Sequence, residues 1–426
     1  MVQIKNHHFV VHKFGGASVK NAEAVRNVAT LLTQHIQGSA VVVVSAMGKT
    51  TNELEGVLGV LTKEGVVSAQ SQMNSIIDAH EAIARELGII VDLRVIFESA
   101  LKTANTLEDA DARYDALVAA GEDASTRVLS AYLKAQNFDA KWSDARQIII
   151  TDSKHRSARV NEHKIYGSGA SLRKALSERE NRIIVTQGFI GRCPSGKTTT
   201  LGREGSDYSA ALLACAIGAK EVVIWKDVPG MLNADPRVFD HTETIKELDY
   251  GEALELSYYG ASVIHPRTIK PLQNEGIPLF VKSFVDLNAP QTRIASYPGK
   301  LPGIPMYISR PNVSLLSLGP ADNSFVGEDH LSTLFARLNT SGIHVRMMQN
   351  SAVQFDLVFE EDPERRHRFV EGLGDGFWTN TEKGLELLTM RHGNAQLMDQ
   401  LTAGKEIVME QKNPSTHRRL LRAIKV

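Results

Sequence analysis

Apolar residues follow two alternating rhythms over the first eighty residues. Residues 9–16, FVVHKFGG, are β-branched and end in a glycine pair, the pattern of a strand running into a tight turn. Asn21 then stands where it can cap a helix whose apolar positions Val25, Val28, Ala29, Leu32 and Ile36 recur three or four residues apart, with Gly38 to stop it. Residues 40–48, AVVVVSAMG, are apolar nearly throughout, as a strand covered on both faces must be. This β-α-β order predicts a mostly parallel sheet flanked by helices. From about 52 to 137 the chain is alanine-rich, charged and poor in proline, and reads mainly as helix. A second β-rich stretch opens with RIIVTQGFIG (182–191) and crosses a Gly/Ser/Thr-rich segment to a helix starting near Ser206. The strands EVVIWKDV (221–228) and PLFVKSF (278–284) follow.

Residues 286–312 carry five prolines and read as a linker. Beyond it, VSLLSLG (313–319), a helix from Glu328 to about Thr340 ended by Gly342, and HVRMMQNS (344–351) form one β-α-β. VQFDLVFE (353–360), a short helix near 364–373 and a strand around LELLTM (385–390) follow, so the order βαββαβ predicts a ferredoxin-like α+β region. The last thirty residues add a helix and two strands. The expected organisation is an α/β domain over 1–305 and a smaller α+β region over 306–426.

Composition narrows the function. A chain of 426 residues exceeds one ordinary core, and 42% hydrophobic with 23% charged residues describe a folded protein. With 48 Lys+Arg against 49 Asp+Glu, no global field favours nucleic acid or an anionic membrane as partner. Cys193 and Cys215 are too few for a disulfide scaffold and lack metal-site spacing, so no protein residue is assigned to a metal. No apolar run reaches the ~18–20 residues needed to span a bilayer, and MVQIKNHHFVV lacks a signal-peptide core, so a cytoplasmic location is expected.

Five segments could carry chemistry. In KFGGASV, Gly15 and Gly16 let backbone N–H groups approach phosphate oxygens, and Lys13 places a cation where a transferring phosphoryl group gathers negative charge. SAMGKTTNEL brings Ser45 and Thr51 to a parallel strand's carboxyl end, where open α/β sheets bind ligands. Glu122, after Gly121, could neutralise an ammonium group, although alone it is an ordinary helix glutamate. In TTTLGREGSDYSAALL, Ser206 or Asp207 caps a helix, and Arg203 can clamp a carboxylate. In WKDVPGMLNADPRV, Asp227 could orient neighbours and Arg237 meet phosphates, and each also fits plain turn chemistry. A sixth segment misleads. Residues 191–198, GRCPSGKT, satisfy GxxxxGK[ST], but a P-loop needs a helix at the Lys-Thr pair. Here three β-forming threonines follow, so a hairpin tip is expected at Gly196-Lys197.

Together these segments resemble the aspartate kinases of the amino-acid kinase fold. KFGGASV is similar to KFGGTSV, SAMGKTTNEL to S-A-x-x-x-x-TN, and Gly121-Glu122 to a GE motif. LGREGSDYSAA resembles LGRGGSDYSAA, while WKDVPGMLNADPR and YYGASVIHPRT resemble WTDVPGxxxxDPR and FGAKVLHPxT. The order and spacing of the six motifs agree over about 260 residues, and the C-terminal βαββαβ resembles ACT regulatory modules. The resemblance implies transfer of the γ-phosphoryl group of ATP, with Mg²⁺, to L-aspartate, the first step toward lysine, methionine and threonine. It implies Lys13 and Asp207 at the transferring group, with Ser45, Thr51, Glu122, Arg203 and Ser206 around aspartate. Gly15, Gly16, Lys226, Asp227 and Arg237 fall at the nucleotide. It further implies a homodimer formed through the ACT region and an amino-acid effector there.

Four departures from the motifs bear on nucleotide affinity: Ser262 for a lysine, Lys226 for a threonine, Leu232 for a tyrosine and Glu204 for a glycine. The second ACT module is short. In lysine-sensitive members a strand like ISVDLI carries an aspartate where this chain has Arg346, which implies a weak lysine site or none. Two rival readings are an amino-acid kinase acting on glutamate or carbamate, and a non-catalytic amino-acid sensor.

Overall fold

The computed structural model describes residues 9–35, 38–260, 264–297 and 303–424. The described residues divide into two compact units, the first holding 9–232, 244–258 and 264–297, the second 233–243, 259–260 and 303–424.

In the first unit, β1 (Val10–Phe14) leads through a 3₁₀ turn (Gly16–Val19) to α1 (Ala22–His35) and β2 (Ala40–Val44). Asn21 caps α1 by accepting from the Ala24 N–H at 2.9 Å, and Val25, Val28, Ala29 and Leu32 are buried as the spacing requires; Ile36 lies outside the described residues. Four helices follow, α2 (Thr50–Glu64), α3 (Val66–Glu86), α4 (Leu93–Thr106) and α5 (Ala110–Ala135). Next come β3 (Ala140–Ser143), α6 (Glu162–Ser177), β4 (Ile183–Gln187), β5 (Ile190–Arg192), β6 (Thr198–Thr200), α7 (Gly205–Ile217) and β7 (Glu221–Lys226). The unit closes with β8 (Glu247–Asp249), α8 (Tyr250–Tyr259), α9 (Pro266–Glu275), β9 (Leu279–Ser283) and β10 (Thr292–Ala295).

Eight strands form one sheet in the order β3-β4-β2-β1-β7-β9-β10-β8. Every pairing is parallel except β9 with β10. Each residue of β2 and β4 is buried, so helices cover both faces. The chain leaves β1 toward β2 and β4 on one side and reaches β7 and β9 on the other. Open α/β sheets form their ligand crevice at such a reversal, outside the carboxyl ends of the strands. Register aligns those ends, since Lys13 lies level with Val43 of β2 and Ile224 of β7.

The P-loop lookalike is a hairpin. β5 and β6 pair antiparallel, the Cys193 N–H donates to the Lys197 carbonyl at 3.0 Å, and Gly196 takes φ +83° at the tip. No helix begins until Gly205.

The second unit is a six-stranded antiparallel sheet in the order β12-β13-β11-β14-β16-β15. Its elements are β11 (Met306–Pro320), α10 (Glu328–Ser341), β12 (Val345–Asn350), β13 (Phe355–Glu360), α11 (Pro363–Leu373) and β14 (Phe377–Arg391), then α12 (Ala395–Leu401), β15 (Lys405–Lys412) and β16 (Thr416–Ala423). The first four strands stand in ferredoxin-like order, and β16 and β15 extend the same sheet along β14. Segment 233–243 is tied here because the Tyr307 N–H donates to the Asn233 carbonyl at 2.8 Å and Phe239 packs on Tyr307 with ring centroids 5.5 Å apart.

The linker expected over 286–312 is corrected on two counts. β10 lies within it, hydrogen-bonded to β8 and β9, and β11 begins at Met306 rather than near 313. Prolines mark that stretch as irregular, yet the only proline within β11 before its last residue, Pro311, falls at a register shift between Arg310 and Val313, where a missing N–H costs least.

Candidate active site

One cavity of about 560 Å³ opens at the carboxyl ends of β1, β2, β4 and β7. Lys13, Ser45, Thr51, Glu122, Arg203, Ser206, Asp207 and Lys226 line it. These eight, expected at an active site from sequence, come from seven elements or loops and meet within one unit.

β1 delivers Lys13. Its Nζ lies 2.6 Å from Asp207 Oδ1, with side-chain exposures of 11% and 3%, while Lys226 Nζ, from the end of β7, lies 3.4 Å from Asp207 Oδ2. Burial pushes the Asp207 carboxyl up, but the two ammonium groups outweigh it and hold it below the usual carboxylate range. Asp207 and Ser206 sit in the first turn of α7, so backbone N–H groups and the positive end of a 13-residue helix reach the same place. Gly188 permits this approach, since a Cβ there would stand 2.5 Å from Ser206 Cβ.

β2 delivers Ser45, whose N–H donates to the Phe14 carbonyl at 3.1 Å. Gly16 lets the loop after β2 close on the turn after β1. A Cβ at Gly16 would stand 2.7 Å from the Ala46 carbonyl oxygen, and its own carbonyl accepts from the Gly48 N–H at 3.0 Å. Gly15 and Gly16 thus shape the loop without lining the cavity.

α5 delivers Glu122. The Ser125 hydroxyl donates to the Ser45 carbonyl at 2.8 Å, and Asp123 is held by Arg146 at 2.7 Å and by Gln187 at 2.6 Å, which fixes the helix's rotation. Glu122 Oε1 accepts from the Ala46 N–H at 3.2 Å. Its Oε2 is buried with no hydrogen-bond partner. Burial raises the carboxyl to about 8, with the Ala46 bond opposing.

Glu204 also lines the cavity. It precedes α7 at φ +53°, ψ +29°, left-handed backbone that explains a glycine in the related motif and costs a side chain about 1–2 kcal/mol. Its Oε2 is buried without a hydrogen-bond partner, and burial raises its carboxyl despite nearby Lys226.

The nucleotide candidates divide. Asp227 is exposed one residue beyond β7. Arg237 groups with the second unit, where its Nη2 lies 2.7 Å from Asp235. Leu232 is half-buried at a bridge to Thr244, and Ser262 lies outside the described residues. Sequence reasoning missed Tyr114, Arg156, Phe189 and Gly202 as lining residues. Their places depend on contacts distant in sequence, which no local spacing betrays.

A model of the amino acid kinase family matches residues 8–283. Aspartokinase 2, chloroplastic, of Arabidopsis thaliana is 33% identical over 363 residues, 82% of this chain and 66% of that protein. Lysine-sensitive aspartokinase 3 of Escherichia coli is 33% identical over 360 residues, 82% of this chain and 78% of that one. The crystal structure of E. coli aspartokinase III in complex with aspartate and ADP matches with a TM-score of 0.81 at 28% identity, covering 97% of this chain and 96% of that one. The chain spans 32% to 66% of the length of four plant relatives it matches.

Between about pH 4.5 and 8 the folded, ligand-free protein retains a proton on Glu122 that the unfolded chain has released. Stability from this group therefore falls as pH rises through that window and levels off above it. Glu122→Gln keeps the shape and removes the titration, so its melting temperature relative to wild type should climb between about pH 5 and pH 8. Parallel melting curves across that range would show that Glu122 ionises normally.

Proposed function

The chain belongs to the amino acid kinase family, among its aspartokinases, and on that footing we propose that it transfers the γ-phosphoryl group of ATP to the β-carboxylate of L-aspartate, yielding ADP and 4-phospho-L-aspartate. One observation carries the reading. A buried carboxylate with an unpartnered oxygen, Glu122, shares a cavity with a lysine clamped for anionic chemistry, Lys13. That is a receptor for an ammonium group beside a receptor for a phosphoryl group.

The β-carboxylate is ionised at neutral pH, so no general base is needed. One of its oxygens forms the new P–O bond as the bond from phosphorus to the β-phosphate's bridging oxygen breaks, and ADP carries away the electron pair. Catalysis is then positioning plus charge stabilisation. Lys13 meets the charge spreading over the transferring group, and Asp207 keeps it aimed. Glu122 takes the ammonium, Arg203 a carboxylate, and Ser45, Thr51 and Ser206 complete the substrate wall. The turn at Gly15 and Gly16, Lys226 and Asp227 receive the nucleotide.

A magnesium ion travelling with ATP needs one or two protein carboxylates, because phosphate oxygens and waters fill its remaining positions. Asp207 and Glu204, whose Oε2 is buried and unpartnered, fit that requirement. The ion would neutralise phosphate charge.

The second unit enters the proposal as a dimerising, effector-responsive module. Its sheet ends in the edge strands β12 and β15, bearing exposed Met348 and Ile407, which suits pairing with a second copy; a single-subunit mass by light scattering would contradict it. Arg346, which stands where the resemblance puts an acid, lies 2.9 Å from Glu360, so this position offers a cationic effector a paired cation and no free carboxylate. L-lysine should therefore inhibit weakly at subsaturating aspartate. Strong inhibition below about 1 mM, retained in Arg346→Ala, would overturn that assignment.

An assay coupled to ADP release, run with aspartate, glutamate and carbamate, tests the reaction itself. Aspartate alone should support turnover. Lys13→Met should lower kcat at least ~100-fold, the scale of losing one preorganised transition-state contact, with aspartate affinity changed much less. Near-normal kcat in that variant would remove Lys13 from the chemistry.

A further inference from the structure

We propose that Arg156 is a substrate-binding residue, gripping the carboxylate of a dicarboxylic amino acid that Arg203 leaves free, and that buried Asp115 is its positioning residue. The assignment rests on the reading of this cavity as an aspartate site and adds what selects a dicarboxylate.

Asp115 has no part in phosphoryl transfer, yet it is fully buried on α5, two helical turns before Glu122. Three donors account for its charge. The Thr200 hydroxyl donates to Oδ1 at 2.6 Å, His155 Nδ1 lies 2.7 Å from Oδ2, and the Arg156 N–H lies 3.1 Å from both oxygens. All of these hold one turn in place.

That turn is strained. Arg156 has φ +62°, left-handed backbone that an arginine adopts at a cost. Strain of this kind persists where surroundings over-determine it, and here Asp115 does so. Beyond the backbone, the guanidinium carbon lies 4.1 Å over the Tyr114 ring, and the Tyr114 hydroxyl donates to Glu55 at 2.8 Å. The acid beside Arg156 is Asp111 at 3.5 Å, in a pair more than half exposed on both sides and therefore weak. A planar fork is stacked, braced and directed into the cavity that holds Glu122 and Arg203.

The two arginines are carried on loops that support each other. Thr200 bonds Asp115 through its hydroxyl and accepts from the Ala158 N–H at 2.9 Å through its carbonyl. Two residues on, Gly202 at φ +76° passes so close that a Cβ would stand 3.2 Å from the Arg156 carbonyl oxygen. Arg203 follows directly. An amino acid with two carboxylates presents one ammonium and two anionic forks. Glu122 and Arg203 account for the ammonium and one carboxylate, and Arg156 supplies the matching fork for the other.

The test measures aspartate and ADP affinity by calorimetry, steady-state constants and melting temperature for wild type, Arg156→Gly, Asp115→Asn and the double variant. Glycine relieves the strained φ, so Arg156→Gly should melt at or above wild type. Its Kd and KM for aspartate should nevertheless rise at least about tenfold, with ADP affinity within about twofold and kcat within about threefold. Asp115→Asn should raise the aspartate KM in the wild-type background and add nothing in the Arg156→Gly background. Unchanged aspartate affinity in Arg156→Gly, or a loss of ADP affinity in its place, would overturn the role of Arg156. Multiplying effects in the double variant would overturn that of Asp115. A wild type that binds no aspartate would remove the underlying reading and this assignment together, whereas aspartate binding indifferent to Arg156 removes this assignment alone.

Discussion

An ammonium and a carboxylate 2.6 Å apart, both nearly removed from water, join the end of β1 to the first turn of α7. Breaking a buried pair by removing one member costs about 3–5 kcal/mol, a cost that Lys226, the second ammonium on Asp207, reduces when Lys13 is lost. Much of the surrounding structure serves that contact. Parallel pairing brings β1 level with β2 and β7, Gly188 lets α7 begin against the exit of β4, and Lys226 takes the carboxylate's second oxygen. The result is a lysine held at a helix N-terminus, two positive features that favour a polyphosphate.

Glu122 is the opposite case. Asp123, its neighbour, is bonded to Arg146 and Gln187, while Glu122 keeps one oxygen buried without a partner and retains its proton well above the usual range. On the function proposed, an incoming ammonium completes the carboxylate that this helix leaves unfinished and restores the stability given up locally.

Much of this was legible in the sequence where physics is local. The β-α-β opening could be read because a period of 3.6 between two β-branched runs has one interpretation. Lys13 and Ser45 could be placed because strand ends in a parallel sheet converge, Asp207 because it stood at a helix start, and Lys226 through the motif it resembles. β3, β8 and β10 escaped, being three or four residues long and dependent on neighbouring strands. Arg156 escaped for a sharper reason. Its turn is set by Asp115, forty-one residues earlier, so no window of sequence contains the cause. Glu204 was visible as a departure from a motif, but its meaning came with the left-handed backbone that makes glycine the easier residue there.

The central claim is that Glu122 waits protonated for the substrate's ammonium, and proton release on binding tests it most directly. Aspartate titrated into the ligand-free protein near pH 7, in buffers of different ionisation enthalpy, should release most of one proton as Glu122 ionises against the ammonium. The release should vanish in Glu122→Gln. A binding heat independent of buffer, or an equal release in the variant, would contradict the account.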